Sequence, residues 1–271
     1  MKVPFRRIFL IIIILVSILG GGIFMTFLIL SRPLGKIAAN IYDSNYFIAH
    51  AGGAVDGINY LNCKEGLEQS ICRGYKYIEF DLCKTDDDDL VCAHDKEAFY
   101  RMIGKEVSDT VPFDSKTFKS SLLYGKFHTL KVTDIIPLLK QHCFTLVTDC
   151  YSEPDIINCY FSEVKGNVIV EASNIENYNK LRSLGYAVML TMGDFNRRGF
   201  WNFVKLSLIN EYPIDWIVIS ATQSDFRYVR ILKRLFDVRT AMYTTNDKEF
   251  FINHVGVEAD LVYTDNWQFK D

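Results

Sequence analysis

Short apolar runs rich in β-branched and aromatic residues recur along the chain after residue 45, separated by segments with apolar residues at helical spacing. Eight runs predict strands, at residues 46–50, 76–82, 144–149, 167–172, 186–191, 215–220, 238–243 and 260–264. Segments between them, such as 175–184, 201–210 and 227–236, predict helices. This alternation predicts an α/β fold, a closed (β/α)8 TIM-type barrel. An open doubly wound sheet is the alternative, but the first strand lacks the Gly-rich phosphate turn of that fold.

The amino-terminal segment predicts a transmembrane helix before the barrel. Residues 8–30 carry no charged side chain, and such a run is long enough to cross a hydrocarbon layer of about 30 Å. A cleaved signal peptide is the alternative, but its apolar region is usually only about 7–15 residues long. The pair Ala38-Ala39 is also a poor cleavage site. We therefore expect an uncleaved signal anchor over residues 8–30.

Charges beside this segment predict its orientation. Lys2, Arg6 and Arg7 precede it closely, and basic residues concentrate on the cytoplasmic side of membrane helices. Residues 1–7 are thus expected in the cytoplasm, followed by a juxtamembrane linker over 31–45 and a barrel domain over 46–271. The prediction is a single-pass protein of the cell membrane with an extracytoplasmic barrel.

The overall charge argues against a nucleic-acid partner, and the cysteine spacing argues against a zinc site. The net charge is −3 and no basic run is present, so a nucleic-acid surface is not expected. Seven cysteines occur without a Cys-x-x-Cys pair, so a zinc site is not expected either. Cys83 and Cys92 flank the acidic turn at residues 86–89 and could pair across a hairpin. It is equally consistent with the sequence that most of the cysteines are free and buried.

Polar residues that can carry chemistry follow the apolar runs. His50 ends the first predicted strand, Glu79 and Asp81 end the second, and His94 lies a short distance downstream. Residues two apart on a strand point to the same side, so Glu79 and Asp81 present two carboxylates together. Such a pair suits a hard divalent cation, and nearby histidines could transfer protons. A solvated face of an antiparallel strand is the alternative, but the neighbouring residues are almost all apolar.

These motifs resemble the glycerophosphodiester phosphodiesterases of the phospholipase-C-like phosphodiesterase superfamily. The matching elements are His50-Ala-Gly-Gly, Asn62 with the turn at Gly74, Ile78-Glu79-Phe80-Asp81, Thr85-Asp86-Asp87 and Val91-Cys92-Ala93-His94-Asp95. They occur in the family's order and spacing. The first element is that of a His-Ala-Gly-Gly subgroup. The resemblance extends over nearly all of residues 47–267 and implies a TIM-type barrel that hydrolyses phosphoric diesters.

The resemblance also implies a site. Its metal ligands would be Glu79, Asp81 and Asp149, holding Mg²⁺ or Ca²⁺, and its acid–base pair would be His50 and His94. Substrate contacts are expected from Asn62, Arg197, Arg198 and Tyr243. The arginine pair follows the fifth strand and could supply positive charge, although a solvated pair is the simpler interpretation.

Two departures from the family pattern leave the function open. The usual arginine after the first histidine is Ala51, and the expected lysine is Tyr151, so the site is poor in positive charge. The leading hypothesis is a metal-dependent hydrolase of glycerophosphodiesters or related (lyso)phospholipids. The alternative is a non-catalytic, membrane-anchored barrel that binds a phosphorylated head group or a partner. A phospholipase C for inositol lipids is a weaker third hypothesis, since its metal-free bacterial forms lack the carboxylate trio.

The segment 96–123 departs from the strand–helix alternation and is expected to be an irregular insertion. Long insertions in compact domains are usually functional or mobile. In the family, an insertion at this point lies over the mouth of the active site. A surface excursion without a role is the alternative.

Overall fold

Eight parallel strands form a closed barrel in the computed structural model, which describes residues 23–35, 39–106, 112–141 and 144–269. The first barrel strand pairs with both the second and the last, and this double pairing closes the sheet. Each barrel strand lies within two residues of its predicted bounds. In chain order the strands are β1 (Phe47–Ala49), β2 (Tyr77–Lys84), β3 (Leu90–Cys92), β4 (Leu122–Leu123), β5 (Phe127–His128), β6 (Thr145–Asp149), β7 (Val168–Ala172), β8 (Ala187–Gly193), β9 (Trp216–Ser220), β10 (Arg239–Tyr243) and β11 (Leu261–Thr264). All except β3, β4 and β5 belong to the barrel.

Helices connect successive barrel strands around the outside. The helices are α1 (Ile23–Leu30), α2 (Lys64–Arg73), α3 (Lys96–Met102), α4 (Ser115–Ser120), α5 (Val132–Lys140), α6 (Pro154–Phe161), α7 (Ile175–Ser183), α8 (Arg197–Ile209), α9 (Phe226–Phe236) and α10 (Lys248–His254). Several begin just after a strand, where a short polar side chain caps the first turn. Asn174, Asp225 and Asp247 each accept a hydrogen bond from a backbone N–H of the helix they precede.

The interior of the barrel is filled by every second strand residue. An apolar cluster there includes Ile48, Val147, Met189, Val218, Ala241, Leu261 and Tyr263. Because Glu79 is aligned with Val147 in the β2–β6 register, Glu79 and Asp81 also face the interior. Asp149 follows Val147 by two residues and does the same. The alternation thus directs three carboxylates toward one end of the barrel axis.

The predicted membrane segment is described only from Ile23 onward, and residues 8–22 lie outside the described residues. Within the described ranges, no helix combines the length and the apolar character needed to cross a membrane. Helix α1 packs on α9, where the ring centroids of Phe27 and Tyr228 are 5.5 Å apart.

The segment expected as a linker is attached to the barrel where the structure describes it. Arg234 of α9 donates to the carbonyl oxygens of Arg32 and Pro33, at 2.7 and 2.9 Å. Trp267 Nε1 donates to the carbonyl of Ile41 at 2.7 Å. These contacts hold residues 32–33 and 41 against the domain rather than away from it.

The insertion after β3 is more regular than the sequence predicted. It contains α3, α4 and β4, which pairs with β5 just after it, and residues 107–111 lie outside the described part. Its own apolar core includes Phe99, Tyr100, Phe113 and Phe118. Asp95 and Asp114 cap its two helices by accepting from the N–H groups of Ala98 and Thr117, respectively. The expectation of an irregular segment was wrong because these aromatic residues suffice for a small core.

The proposed pairing of Cys83 with Cys92 is also wrong. In the antiparallel β2–β3 register, Cys83 is aligned with Val91 and Cys92 with Leu82. The two cysteines are thus offset by one residue and face opposite sides of the hairpin, and both are free. The acidic run between them does form a turn, as predicted. Its aspartates also bind the insertion, since Phe113 N–H donates to Asp86 at 2.9 Å.

A buried ion pair at the amino-terminal end of the last barrel strand gives a testable pH dependence of stability. Glu258 is 3% exposed, with Arg230 Nε at 2.6 Å and His254 Nδ1 at 3.1 Å from its carboxylate oxygens. Burial alone would raise the pKa of Glu258, but hydrogen bonds from His254 and Arg230 outweigh burial and lower it. A lowered carboxyl pKa stabilises the fold above the ordinary value of about 4.3, and this contribution is lost as pH falls through the folded pKa.

We expect Glu258→Gln to lower the free energy of unfolding near neutral pH by on the order of 3 kcal/mol, because the cation of Arg230 loses its partner. The fall in stability below about pH 4.3 should become shallower in this variant. Urea unfolding followed across the pH range measures both effects. Glu163→Gln, which removes an exposed ion pair with Lys140, is the control and should change both much less, because solvent screens this pair. An unchanged acid limb in Glu258→Gln would contradict the assignment.

Candidate active site

The predicted chemistry-bearing residues converge at the carboxyl ends of the barrel strands. His50 follows β1 directly, Asp81 lies in β2, and Asp149 is the last residue of β6. Asp81 and Asp149 are aligned in the parallel register of these neighbouring strands. This end of a (β/α)8 barrel is where the working residues of barrel enzymes are found.

Glu79 is a buried carboxylate with one unsatisfied oxygen. Its Oε2 accepts the backbone N–H of Ala51 at 2.7 Å, whereas Oε1 is buried and has no hydrogen-bond partner. Burial, and then the charges of Asp81 and Asp149, raise the pKa of Glu79 well above its ordinary value. A buried oxygen that lacks a donor is costly unless a cation or another donor approaches it.

The N–H of Ala51 reaches Glu79 because the backbone turns sharply after β1. Ala51 has φ 48°, in the left-handed region that a residue with a side chain seldom occupies. The following glycines continue this turn, and a Cβ on Gly52 would lie 2.7 Å from the Phe80 ring. The His-Ala-Gly-Gly sequence therefore forms a tight loop that brings one backbone donor into the site.

Asn62 positions Asp81. Its Nδ2 donates to Asp81 Oδ2 at 2.8 Å, and its Oδ1 accepts the backbone N–H of Asp81 at 3.0 Å. Asn62 is 2% exposed, so both ends of its amide are used inside the protein. The sequence predicted a substrate contact for this residue, and in the structure both ends of its amide bind Asp81.

Asp149 and Cys150 form a tight turn at the end of β6. Asp149 Oδ1 accepts the N–H of Cys150 at 2.6 Å, and Cys150 has φ 65°. The turn brings Cys150 Sγ to 3.1 Å from Asp81 Oδ1. Burial, opposed by the N–H of Cys150 and reinforced by Asp81, raises the pKa of Asp149. Burial and the same carboxylates also raise the pKa of the Cys150 thiol.

His50 is held by a carboxylate that the sequence did not identify. Its Nδ1 lies 2.9 Å from Asp265 Oδ1, at the end of β11, and the imidazole is 13% exposed. The other oxygen of Asp265 accepts from the amides of Asn246 and Asn59, at 2.7 and 3.0 Å. Burial alone would raise the pKa of Asp265, but the hydrogen bonds from His50 and Asn246 outweigh it and lower the pKa. An ionised Asp265 places the proton of neutral His50 on Nδ1 and leaves Nε2 able to accept one.

His94 is the exposed histidine of the pair. Its Nδ1 lies 2.6 Å from Asp95 Oδ2, and its side chain is 57% exposed. The hydrogen bond with Asp95 raises the pKa of His94, and the charge of Asp81 adds to this effect. Asp95 also caps α3, so the insertion fixes the partner of His94.

Three potential ligand atoms lie close together around Asp81. Asp81, His94 and Cys150 each offer one ligand atom, and these three atoms lie within 4.8 Å of one another. No other group of three such ligands occurs among the described residues. The predicted trio of Glu79, Asp81 and Asp149 shares Asp81 with it. The turn after Asp149 directs the Cys150 thiol toward Asp81, so a soft donor lies beside the predicted trio.

The remaining predicted residues lie at the same end of the barrel. Arg197 and Arg198 are exposed in the first turn of α8, and Tyr243 is partly buried at the end of β10. The hydroxyl of Tyr151 donates to Glu153 at 2.9 Å rather than toward the carboxylates. Among the hydrogen bonds and ion pairs of the described residues, no lysine or arginine contacts Glu79, Asp81 or Asp149.

Glu171 is a second buried carboxylate that the sequence did not single out. It lies in β7, is 4% exposed, and accepts from Tyr263 and from Thr191 Oγ1, the latter at 3.2 Å. Burial, followed by the charge of Asp149, raises the pKa of Glu171 well above its ordinary value. Unlike Glu79, it has donors for both oxygens, so it is satisfied within the protein.

Solved structures with this fold include several glycerophosphodiester phosphodiesterases, at low sequence identity. An Oleispira antarctica phosphodiesterase in complex with the product sn-glycerol-3-phosphate matches with TM-score 0.64 and 16% identity, covering 81% of this chain and 92% of that one. Glycerophosphodiester phosphodiesterases from Agrobacterium tumefaciens (TM-score 0.61, 14% identity, 82% and 97% covered) and Thermotoga maritima (0.58, 19%, 81% and 94%) are also similar. No protein-family model and no curated protein matches the sequence. These likenesses confirm the (β/α)8 barrel.

Proposed function

We propose that this chain is a metal-dependent glycerophosphodiester phosphodiesterase of the His-Ala-Gly-Gly subgroup, acting on glycerophosphodiesters or related (lyso)phospholipids. One observation carries the proposal: the Asp265-bound His50 and the unsatisfied oxygen of buried Glu79 meet Asp81 and Asp149 at one end of the barrel. A histidine base beside a carboxylate cluster is the chemistry that phosphodiester hydrolysis needs. The shared fold with glycerophosphodiester phosphodiesterases supports the same substrate class.

The carboxylates fit a divalent cation. Glu79, Asp81 and Asp149 would hold it, since a positive charge would satisfy Glu79 Oε1 and relieve the repulsion that raises the pKa of Glu79. Three carboxylates are hard oxygen donors and suit Mg²⁺ or Ca²⁺. When bound, such a cation neutralises charge on a non-bridging phosphate oxygen.

The two histidines divide the proton transfers. His50 Nε2 takes a proton from the nucleophile, which is either water or a neighbouring hydroxyl of the substrate, while Asp265 stabilises the imidazolium that forms. His94 carries a proton more readily than an ordinary histidine because Asp95 holds its Nδ1. It donates its Nε2 proton to the leaving alkoxide oxygen, so one proton is gained at His50 and one is lost at His94.

A binding protein without catalysis is the second candidate, and one observation favours it. Ala51 and Tyr151 replace the family's cationic residues, and no lysine or arginine of the described chain pairs with the three carboxylates. A site with less positive charge stabilises the transition state less than the family pattern would. Binding of a phosphorylated head group needs only the cation and the loop donors.

Hydrolysis of a diester panel by the full-length protein separates these candidates. The panel comprises glycerophosphocholine, glycerophosphoethanolamine, lysophosphatidylcholine and bis(p-nitrophenyl) phosphate, each with Mg²⁺, Ca²⁺ or EDTA. We expect release of an alcohol from at least one glycerol diester, supported by one of the cations and abolished by EDTA. If every diester stays intact while sn-glycerol-3-phosphate binds in calorimetry, the enzyme proposal fails and the binding protein is supported.

A further inference from the structure

Beside the carboxylate trio, the site contains a donor set of different chemistry. Asp81, His94 and Cys150 offer an oxygen, a nitrogen and a sulfur atom that all lie within 4.8 Å of one another. We infer that these three residues form a binding site for a zinc-class divalent cation, distinct in its ligands from a hard-cation site formed by Glu79, Asp81 and Asp149. Three mixed donors with a side open to solvent match the ligand number of zinc sites that retain a free position.

Each of the three ligands is already oriented by a neighbour. Asp81 is fixed by both amide atoms of Asn62, and the Nδ1 of His94 is held by Asp95 at 2.6 Å. A carboxylate on one imidazole nitrogen is the usual outer partner of a histidine that binds metal through the other nitrogen. Cys150 is held by the left-handed turn at φ 65°, which directs its thiol to Asp81 Oδ1.

A further observation points to a cation at this place. Glu79 Oε1 is buried without a hydrogen-bond partner, and the charge of Asp81 acts directly on this carboxyl group. Glu79 lies two residues before Asp81 on the same face of β2, so an unsatisfied acceptor lies beside the ligand that both cation sites share. Hydrogen bonds within the protein account for both carboxylate oxygens of Asp81 but not for Glu79 Oε1.

The donor types select the metal. Thiolate and imidazole ligands favour Zn²⁺ and its soft analogue Cd²⁺, whereas Mg²⁺ and Ca²⁺ take oxygen ligands. Binding replaces the thiol proton of Cys150, which leaves to solvent, and engages His94 through Nε2. The two kinds of cation thus compete at the shared ligand Asp81.

This competition has a consequence that rests on the proposed function. A zinc-class ion bound to His94 Nε2 occupies the atom that would protonate the leaving oxygen. Zn²⁺ should therefore inhibit a reaction supported by Mg²⁺ or Ca²⁺. Removing the thiol should relieve the inhibition.

The test is a Cd²⁺ titration followed by the ultraviolet charge-transfer absorption of a cadmium–thiolate bond. We expect one saturable band in the full-length protein, retained in Cys159→Ser and Cys72→Ser, which remove exposed thiols elsewhere, and lost in Cys150→Ser. Calorimetry should show that the affinity for Zn²⁺ is weakened by more than about 100-fold in Cys150→Ser, since loss of an outer partner alone costs about 10–100-fold. Serine keeps a donor toward Asp81, so Mg²⁺ and Ca²⁺ binding should be unchanged.

A second measurement needs no variant. Co²⁺ bound to the wild-type protein should give a near-ultraviolet sulfur-to-cobalt charge-transfer band, which Zn²⁺ but not Mg²⁺ should abolish. An unchanged cadmium band in Cys150→Ser, or Co²⁺ binding without the sulfur band, would overturn the inference. Both readouts are independent of turnover, so a protein that binds Cd²⁺ but cleaves no diester refutes the enzyme and keeps this site. A protein that hydrolyses a diester but shows no cadmium–thiolate band keeps the enzyme proposal and refutes this site.

Discussion

His50→Ala and His94→Ala should each slow diester hydrolysis by on the order of 10²-fold or more, the usual contribution of a positioned acid or base. The reason lies in their partners, since Asp265 directs His50 and Asp95 directs His94. The double variant should lose less than the product of the two single losses, because both groups act in one proton-transfer sequence. Steady-state kinetics on the best diester of the panel measures all three losses.

His128→Ala is the matched control for this experiment. His128 also pairs with a carboxylate, Glu65 Oε1 at 2.6 Å, but it lies in the hairpin β4–β5 and is 66% exposed. We expect its turnover to equal that of the wild type. Full activity in His50→Ala would remove the base from the proposed mechanism.

Asp265 should act through His50 and not on the substrate. Asp265→Asn keeps the shape of the side chain but can donate to Nδ1, which favours the tautomer with its proton on Nε2. We expect kcat to fall by at least about 10-fold with KM unchanged, since a reversed tautomer removes the base but not the binding contacts. A fall in thermal stability with normal kcat would instead indicate a structural role.

Local pattern was sufficient to predict the barrel. Its strands are short apolar runs, because a sheet that is covered on both faces buries nearly every strand residue. The ends of the strands were therefore predicted to within two residues. The inward direction of Glu79, Asp81 and Asp149 follows from the same alternation along β2 and β6. These carboxylates were predictable because a regular strand fixes where its side chains point.

The partners of those residues were not predictable in the same way. Asp265 meets His50 across 215 positions of sequence, and only closure of the barrel between β11 and β1 brings them together. Cys150 would point outward on a regular strand, and a single residue at φ 65° reverses it. Glu171 lies on an inward position of β7, a signal that was present but was not used. The order in the insertion likewise arises from contacts among aromatic residues far apart in sequence.

Glu79→Gln should strongly weaken the binding of Mg²⁺ and Ca²⁺ by the carboxylate trio and, in the absence of metal, make the protein more stable. The raised pKa of Glu79 means that its ionisation opposes folding, so the metal-free protein loses stability as pH rises from about 4.3 toward the folded pKa. A neutral amide removes this loss and also removes the charge that a cation needs. Asp81→Asn should lose divalent binding as well, because Asp81 belongs to both donor sets.

Calorimetry with Mg²⁺ and Ca²⁺, together with thermal unfolding in EDTA from pH 5 to 8, tests both parts. Glu171→Gln is the control, since Glu171 is equally buried but has donors for both oxygens, and it should bind the cations as the wild type does. We expect affinity to fall by at least about 100-fold in Glu79→Gln, more than the loss of an outer partner causes. Unchanged affinity in both Glu79→Gln and Asp81→Asn would show that the cation binds elsewhere. Unfolding curves that coincide for wild type and Glu79→Gln at every pH would show that Oε1 is satisfied in solution by another donor.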